Sequence, residues 1–530
     1  MARDRIYPAG VQTFSDIIEQ GMVYIDKTAL VYRMVKKYKY VFLGRPRRFG
    51  KSLLSSTLHS YFAGQKDLFK GLAIEQLEKD WIEYPVLHFD MSVLKNCSVD
   101  RLPQKFNNLL KDYEEALGIN NSTETPGDRL SEIIKFYYKK TGKKVVIIID
   151  EYDTPIQQGY LHGFYDQVVS FMRNFFSGGF KDNRHLAFGF LTGILRVARE
   201  SIFSGLNNLV VNSVLDKKYS EYFGFTRAEV AEMASYYNVE DKLTEICDWY
   251  DGYRFGNTEI FNPWSVINYF SNDCEARSYW VSTSSNDIIG EVLKESDHEI
   301  WENLANFLQG EKLLTYIDTC VVYPQIKQNP SSVYSFLLMS GYLKIAGKNQ
   351  PLGAGYMCEV GIPNREIMFV YQKEILDQLS YMIPQSASIG ILEAVYTGNT
   401  EILGKRLNKL LKTTVSYYDT AQESFYHGLM LGLLAMTDDR YRLLSNDESG
   451  DGRYDICLIP RQKNLPGIII ELKAEKKCGA EELKTLAEKA IEQIEEKHYD
   501  MQLKEEKVEH IIKYGVAFSG KNAEVVMKEN

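Results

Sequence analysis

The chain has 530 residues and a formal net charge of −9, with 45% hydrophobic and 25% charged residues. This length is too great for one hydrophobic core, so roughly two to four domains are expected. The acidic balance excludes a protein that attracts nucleic acid through a basic surface overall, and it leaves such contacts to local patches. The seven cysteines are scattered without a Cys-x-x-Cys pair, which argues against a disulfide framework or a zinc site.

The sequence predicts neither an N-terminal signal peptide nor a membrane span. Residues 1–5 lack the apolar core of a signal peptide. No run approaches the ~18 apolar residues of a membrane span. We therefore expect a cytoplasmic protein with no membrane partner.

The first informative stretch is a loop between a predicted strand and a predicted helix. Residues 40–43 form an apolar run typical of a buried strand, and residues 53–58 predict a helix. The loop between them ends in Gly50, Lys51 and Ser52. This is the layout of a P-loop, whose backbone N–H groups and helix N-terminus suit an anion. Lys51 would then reach the β- and γ-phosphates of ATP, and the Ser52 hydroxyl would bind Mg²⁺.

The loop departs from the general pattern at its first glycine. The usual spacing puts a glycine five residues before Gly50, and this chain has Arg45 there. The alternative interpretation is therefore a surface turn with a chance Gly-Lys-Ser sequence. In the P-loop interpretation, the ATP-binding residues of the loop are Arg48, Phe49, Gly50, Lys51, Ser52 and Leu53.

A second nucleotide motif follows at residues 143–153. Five β-branched residues lead directly into Asp150 and Glu151. Such a run suits a central parallel strand, and carboxylates at its C-terminal end lie where α/β sheets bind ligands. Asp150 would hold Mg²⁺ and Glu151 would polarise the attacking water, while Asp153 is predicted to be structural. The alternative is a buried strand followed by a solvated acidic turn.

Residues 85–90 predict a strand that lies, in the chain, between the P-loop and the Asp-Glu strand. This position predicts an inserted strand between those two in the sheet. That topology is typical of the ATPase class that uses a catalytic glutamate, in agreement with Glu151. Residues 101–141 predict helices with a polar break at 120–127.

Residues 185–193 predict the next strand, which ends in a polar residue. Thr192 is the candidate γ-phosphate sensor, and the alternative is that it only caps the turn. Arg196 and Arg199 follow within two turns. Either arginine could stabilise the charge on the transferred phosphate, in cis or from a neighbouring chain. The alternative for each is a solvated helix arginine.

The middle of the chain predicts a helical lid at 226–325 and a connecting module at 326–385. Thr226 and Glu229 form a capping-box pattern, which predicts a helix start. The lid is rich in aromatic residues such as Trp249 and Trp264, which we expect to be mostly buried and not a base-stacking surface.

The last ~140 residues carry a second chemical pattern. Asp455 is followed, about fifteen residues later, by Glu471 and Lys473 on a predicted neighbouring strand. Period-2 geometry puts Glu471 and Lys473 on one face of that strand, and Asp455 can point to the same place. Carboxylates suit Mg²⁺ or Mn²⁺, with Glu423 on an upstream helix as a further ligand. Lys473 can orient or deprotonate the attacking water.

With both motifs considered, the chain resembles the AAA-ATPase-like family whose members carry a C-terminal PD-(D/E)XK nuclease domain. The resembling stretches are residues 24–28, 45–52, 150–155, 202–208 and 249–253. The resemblance implies that Arg45 is a family feature and that residues 24–28 lie near the nucleotide. Related nucleases also place a Gln and a Tyr near the metal, here Gln493 and Tyr499.

The predicted fold is therefore α/β: a P-loop ATPase with a parallel sheet and glutamate-class topology, a helical lid, and a restriction-endonuclease-like domain. The predicted boundaries are 1–225, 226–325, 326–385 and 386–530. The predicted function is an ATPase coupled to a metal-dependent nuclease that acts on DNA or RNA, in defence or mobile-element processing. Homo-oligomerisation is left open. The alternative is a nucleotide-gated switch whose inactive nuclease-like domain binds nucleic acid or a protein.

Overall fold

The structure is a computed structural model that describes residues 6–95, 97–119, 125–196, 209–280, 298–308, 310–326, 329–371, 385–414, 423–434, 440–445, 448–475 and 477–529. These residues belong to two units, each described here by itself. Unit 1 comprises residues 1–288 and 314–367, and unit 2 comprises residues 289–313 and 368–530.

Unit 1 is built on a five-stranded parallel sheet. Its strands are β1 (Tyr40–Gly44), β2 (Val86–Asp90), β3 (Val145–Asp150), β4 (Leu186–Gly193) and β5 (Val210–Asn212). They lie in the order β2-β3-β4-β1-β5, and every neighbouring pair is parallel. The predicted parallel α/β fold with one strand inserted between the P-loop strand and the Asp-Glu strand is confirmed.

The inserted strand is β4, and β2 lies at the edge beyond β3. The expectation that residues 85–90 supply the inserted strand is therefore wrong. The burial pattern gives the reason. All but one residue of β4 is buried, as a central strand covered on both faces requires, whereas buried and half-buried residues alternate along β2.

Eight helices accompany this sheet among the described residues: α1 (Phe14–Glu19), α2 (Thr28–Val35), α3 (Lys51–Phe62), α4 (Ala73–Leu77), α5 (Leu102–Leu117), α6 (Pro126–Thr141), α7 (Thr154–Leu161) and α8 (Tyr165–Phe180). All six residues of β3 are buried, so its apolar run lies at the centre of the unit 1 core. The predicted break at 120–127 separates α5 from α6, although residues 120–124 lie outside the described part.

The predicted lid region begins with α9 (Arg227–Tyr237), α10 (Leu243–Tyr250) and α11 (Pro263–Ser271), with a hairpin of β6 (Tyr253–Phe255) and β7 (Thr258–Ile260) before α11. The predicted capping box is confirmed, because Thr226 and Glu229 exchange both hydrogen bonds at the start of α9. Residues 289–313 belong to unit 2, whereas residues 326–367 belong to unit 1. The functional division into lid and connecting module stays a prediction.

The rest of unit 1 contains a three-stranded sheet and two helices. The sheet has the order β8-β10-β9, with β8 (Leu313–Ile317), β9 (Lys344–Leu352) and β10 (Gly355–Gly361); the helices are α13 (Tyr323–Ile326) and α14 (Pro330–Ser340). Glu366 follows β10 and is fully buried.

Unit 2 is built on a mixed five-stranded sheet of order β11-β14-β15-β16-β17. The strands are β11 (Tyr441–Ser445), β14 (Ile456–Pro460), β15 (Gly467–Ala474), β16 (Ile511–Ser519) and β17 (Asn522–Glu529), with a small hairpin of β12 (Glu448–Ser449) and β13 (Gly452–Arg453). The described helices are α12 (His298–Leu308), α15 (Gln385–Tyr396), α16 (Thr400–Thr414), α17 (Glu423–Leu434), α18 (Ala480–Glu496) and α19 (Met501–Glu505).

Alternation along β15 divides the unit 2 core between two faces. Ile468 and Ile470 pack in the cluster that includes α15, α16 and α17. Ile469 packs in the cluster that includes Ile491 and Ile494 of α18. Odd-numbered residues of β15 therefore face α18, and this parity also determines where Glu471 lies.

No helix within the described residues is long and apolar enough to cross a membrane.

Candidate functional site

The loop after β1 turns sharply before it enters α3. Arg48 and Gly50 both have positive φ angles, 66° and 77°. Lys51 is the first residue of α3 and is buried. Its Nζ donates to the backbone oxygens of Arg45, at 3.1 Å, and Pro46, at 2.9 Å. Burial holds the pKa of Lys51 below its ordinary value, against the opposing charges of nearby carboxylates.

Arg45 points into the protein core next to β5. Its guanidinium is fully buried and donates to Asn212 Oδ1 at 2.6 Å, Asn212 O at 3.1 Å and Gly44 O at 2.8 Å. It also lies over the rings of Phe223, at 4.5 Å, and Phe255, at 5.2 Å. Burial lowers the pKa of Arg45 to about 9. The arginine that replaces the general glycine therefore connects the loop to the sheet edge.

Carboxylates and a threonine meet at the C-terminal ends of β3 and β4. The Thr192 hydroxyl donates to Asp150 Oδ1, and the Ser52 hydroxyl also hydrogen-bonds the Asp150 carboxylate. The Glu151 N–H lies 3.1 Å from Thr192 Oγ1. Burial raises the pKa of Asp150 in spite of these hydrogen bonds. Four of the predicted site residues, which come from three separate segments, are thus brought together: Ser52, Asp150, Glu151 and Thr192.

Glu151 has a left-handed backbone, with φ of 50°, although it is not a glycine. Its Oε2 accepts a hydrogen bond of 3.3 Å from the Thr154 hydroxyl. Asp153 instead accepts from the backbone N–H groups of Ile194, at 2.7 Å, and Leu195, at 3.2 Å. Asp153 therefore fixes the turn after β4, whereas Glu151 is turned toward the loop.

A cavity of about 400 Å³ lies in front of these groups. Lys51, Ser52 and Glu151 line one part of it, and Tyr24, Ile25, Lys27 and Trp264 line another; the loop residues Arg48, Phe49, Gly50 and Leu53 also contribute. The expectation that residues 24–28 lie near the phosphate loop agrees with this arrangement. Arg196, which is half-buried, is not part of the lining, and Arg199 lies outside the described residues.

Two contacts beside the cavity have no counterpart in the sequence prediction. Arg48 lies over the Trp264 ring of α11 at 4.1 Å, and Arg47 donates to Gln157 Oε1 of α7 at 2.8 Å. Tyr250 and Tyr253 are buried, and Trp249 and Trp264 are partly buried, in agreement with the expectation that the lid aromatics are mostly buried. No local pattern marks Trp264, because its partner lies more than 200 residues earlier.

In unit 2, three of the predicted residues converge at the start of β14 and the end of β15. The Asp455 N–H lies 3.4 Å from Glu471 Oε2, and Asp455 Oδ2 accepts from the Leu472 N–H at 2.7 Å. Lys473 Nζ lies 3.0 Å from Glu471 Oε1. Burial, with Asp455 as the next cause, raises the pKa of Glu471 to about 8.

Gln493 of α18 extends this cluster. Its Nε2 donates to Glu471 Oε1 and lies 3.1 Å from the Tyr499 hydroxyl. The long interval from Gln493 to Tyr499 is accommodated because the chain turns back after α18, with a left-handed His498 and a bond from the Tyr499 N–H to Ile494 O. Tyr499 therefore lies next to Gln493, the residue with which the family resemblance pairs it.

His427 of α17 is a further residue near this cluster, and the sequence analysis missed its contact. The ring is buried, and its Nε2 lies 3.1 Å from both Asp455 O and Ser445 Oγ. Its position one helical turn after Glu423 was the available signal. Glu423 begins α17, but its side chain lies outside what the structure describes. The described residues include no group of three or more His, Cys, Asp or Glu side chains placed to hold a metal ion.

Comparison with known proteins gives two family matches. A family model described as a predicted AAA-ATPase matches residues 8–203, and the PD-(D/E)XK nuclease superfamily model matches residues 421–528. A protein of Azotobacter chroococcum mcd 1, described as "Uncharacterized protein in vnfD 5'region", is 31% identical over 394 residues, which is 73% of this chain and 72% of that protein.

A solved structure titled as the Aeropyrum pernix ORC1 protein in complex with DNA covers 66% of this chain and 93% of that one, at 13% identity and a TM-score of 0.23. A score this low carries no argument about this chain.

Proposed function

We propose, for a chain that belongs to the AAA-ATPase-like family with a C-terminal PD-(D/E)XK nuclease domain, that ATP binding and hydrolysis in unit 1 are coupled to metal-dependent cleavage of nucleic acid by unit 2. The biological setting that we propose is defence against foreign nucleic acid or the processing of mobile elements. We propose a cytoplasmic location, because no two of the seven cysteines, all within the described residues, form a disulfide.

The observation that carries the ATPase proposal is that Lys51, Ser52 and Glu151 line one cavity, while Asp150 and Thr192 hydrogen-bond directly behind them. Lys51 lies where the β- and γ-phosphates of a bound nucleotide would need a cation. Glu151 can orient and deprotonate the attacking water, because its carboxylate faces the loop from a fixed turn. Thr192 hydrogen-bonds the Asp150 carboxylate and the backbone N–H of Glu151, and this position suits a γ-phosphate sensor.

The remaining predicted contacts complete this proposed site. Arg48, Phe49, Gly50 and Leu53 would surround the phosphates and ribose, and Arg196 or Arg199 would balance phosphate charge. Ser52 and Asp150 fit a Mg²⁺ ion, because a hydroxyl and a buried carboxylate already meet there. Bound Mg²⁺ would neutralise charge on the phosphate oxygens.

The nuclease proposal depends on two neighbouring acids in unit 2, the buried Glu471 and the half-buried Asp455. Asp455 and Glu471 fit Mg²⁺ or Mn²⁺, because two carboxylates meet there beside a single lysine, and burial followed by the Asp455 charge raises the pKa of Glu471. Glu423 would be the third ligand. A bound divalent ion would lower the pKa of its water. Lys473 and Gln493, both bonded to Glu471, would orient that water and the scissile phosphate.

One observation favours the alternative of a nucleotide-gated switch with an inactive nuclease-like unit. Among the described side chains of this site, two carboxylates come together, those of Asp455 and Glu471. A metal site of two protein ligands is weaker than one of three, so the unit would bind nucleic acid or a protein without cutting it. Homo-oligomerisation is compatible with both proposals.

The ATPase proposal is tested by ATP binding and steady-state turnover of three variants. Lys51→Ala should abolish ATP binding. Glu151→Gln should bind ATP and lose turnover by roughly 10²–10⁴-fold, because the loss affects water activation and not the ground state. Glu115→Gln, an exposed helix residue of the same unit, is the matched control and should behave like the parent. Turnover of Glu151→Gln at the parent rate would refute the assignment.

The nuclease proposal is tested by incubating single- and double-stranded DNA and RNA with the full chain in Mg²⁺ or Mn²⁺, with and without ATP. Lys473→Ala should bind metal without cleavage, whereas Asp455→Ala should lose both. Lys484→Ala, exposed on α18, is the control for lysine removal. If the parent cuts none of these substrates but binds them in an ATP-dependent way, the switch alternative takes the place of the nuclease.

A further inference from the structure

A continuous series of cationic and tyrosine side chains lies beside β5, the edge strand of the unit 1 sheet. Arg33 of α2 donates to the Tyr222 hydroxyl at 2.7 Å and lies over its ring at 5.7 Å. The Tyr222 and Tyr219 rings meet edge to face at 6.4 Å. Lys218 Nζ lies over the Tyr219 ring at 5.0 Å. Two segments that are distant in the sequence are thereby joined.

The series continues through Tyr38. Lys218 Nζ donates to the Tyr38 hydroxyl and lies over the Tyr38 ring at 4.6 Å. Lys37 Nζ lies 5.9 Å from the centroid of the same ring. The lysine–tyrosine patch is defined as Arg33, Lys37, Lys217, Lys218, Tyr38, Tyr219 and Tyr222. Tyr38, Lys218 and Tyr219 also line a small cavity with residues of β5, which locates the patch at the sheet edge.

The cations of this patch have no carboxylate partner in the part of the chain that the structure describes. Lys27 and Lys36, which are close in sequence, pair with Glu229 and Glu78. Arg33, Lys37, Lys217 and Lys218 are all exposed, and none takes part in an ion pair found among the described residues. Neutral tyrosine partners position Arg33, Lys37 and Lys218 without cancelling their charge, and Lys217 is the exposed neighbour of Lys218 in the sequence.

The local field of the patch is positive although the whole chain carries −9. Burial would raise the pKa of Tyr38, but its hydrogen bond with Lys218 and the Lys37 charge bring that pKa below its ordinary value. Two acidic residues border the patch: the exposed Glu221 adjoins Tyr222, and the half-buried Asp216 lines the small cavity and accepts hydrogen bonds from Ser213. Four cations against two acids leave the patch with a net positive charge.

We propose that the lysine–tyrosine patch binds the phosphate backbone of a nucleic-acid strand. This inference rests on the proposed function, in which unit 2 acts on nucleic acid. Exposed lysine and arginine side chains without carboxylate partners release counterions when phosphates take their place. Tyrosine hydroxyls also donate to phosphate oxygens, and tyrosine rings stack on unpaired bases. An acidic protein partner would use the lysines but would gain little from the tyrosine rings.

The test compares two double variants of the full chain that change the net charge equally. Lys37→Glu with Lys218→Glu alters the patch, and Lys135→Glu with Lys139→Glu alters two exposed lysines of α6. Binding of labelled single- and double-stranded DNA and RNA is measured in EDTA, at several salt concentrations. The patch variant should lose roughly tenfold or more in affinity, and its salt slope should fall by roughly 1.4–1.8. The α6 variant should stay within about twofold of the parent.

Equal affinities of the two double variants would overturn the proposal. It would also be overturned if the patch variant lost binding to polyglutamate or to phosphatidylserine vesicles and kept its nucleic-acid affinity. ATP turnover without nucleic acid checks folding; if the glutamate variant fails this check, Lys37→Gln with Lys218→Gln takes its place.

The outcome for the patch is distinguishable from that for the nuclease. A parent that binds through the patch but cuts no substrate refutes the nuclease and supports the patch. A parent and a patch variant that bind and cut equally well refute the patch and support the nuclease.

Discussion

Arg45→Ala should destabilise unit 1 without a direct effect on ATP binding. The guanidinium occupies a fully buried position between β1 and β5 and is turned away from the cavity that Lys51 lines. Its removal leaves Asn212 Oδ1 and two backbone oxygens without this donor, and the rings of Phe223 and Phe255 lose their cation.

The size of the effect follows from opposing contributions. A hydrogen bond from a charged donor contributes about 1.5–3 kcal/mol, and Arg45 makes three to buried acceptors. Each cation–π contact adds about 1–2 kcal/mol in a desolvated site. Burial of the charge costs several kcal/mol, consistent with a pKa lowered to about 9. We expect a net loss of about 2–4 kcal/mol in the free energy of unfolding.

The assay combines urea unfolding with ATP binding at a urea concentration where the variant is folded. Arg45→Met keeps the volume without the donors, so its stability should lie between those of the parent and Arg45→Ala. A double-mutant cycle with Asn212→Ala should give a coupling energy of about 1–2 kcal/mol. An Arg45→Ala protein that unfolds like the parent but binds ATP about tenfold more weakly would refute this reasoning, because the guanidinium would then act on the phosphates.

Three further predictions concern other buried charges. Glu471→Gln should stabilise unit 2 in EDTA. The pKa of Glu471 in the folded protein, about 8, exceeds the ordinary 4.5, so the parent loses stability as the pH rises through 8. The gain from the substitution should therefore grow from about pH 5 to about pH 9, and a pH-independent gain would contradict this. Glu366→Ala should lower the free energy of unfolding, measured by heat or urea, by about 2–4 kcal/mol, because it removes the acceptor of three buried hydrogen bonds. A loss below about 1 kcal/mol would contradict this. Lys513→Ala should lower the free energy of unfolding by about 3–5 kcal/mol, because it leaves the buried Asp500 carboxylate without its buried partner. Lys528→Ala removes a half-exposed member of the same network and should cost about 1 kcal/mol or less. Equal costs would refute the role of burial.

The sequence predicted the elements whose pattern is local. The apolar run before Asp150 predicted the central strand, and the alternation of Glu471 and Lys473 predicted their shared face. Each depends on residues within a few positions of one another. The order of strands in the sheet depends instead on which strand is covered on both faces, and the error over the inserted strand arose because chain order was used in place of burial.

Contacts between distant segments could not be predicted in the same way. The sequence around Arg45 does not indicate that its side chain hydrogen-bonds Asn212 of the edge strand β5. The sequence around Trp264 likewise does not indicate that Arg48 lies over its ring. The contact between Gln493 and Tyr499 depends on a feature of the same kind, because the left-handed His498 after α18 turns the chain back toward Gln493. This turn depends on the positive φ angle of His498, which the amino-acid composition does not predict.

The two candidate sites carry buried charges of opposite sign, and this determines what each can bind. Burial lowers the pKa of Lys51, and burial together with Asp455 raises the pKa of Glu471. A polyphosphate offsets the first cost and a divalent cation offsets the second, so each ligand should stabilise its own unit by mass action. Lys51→Ala should therefore remove the thermal shift caused by ATP in EDTA and keep the shift caused by Mn²⁺ alone, whereas Asp455→Ala should do the reverse. If either variant lost both shifts, the assignment of two separate binding sites would be wrong.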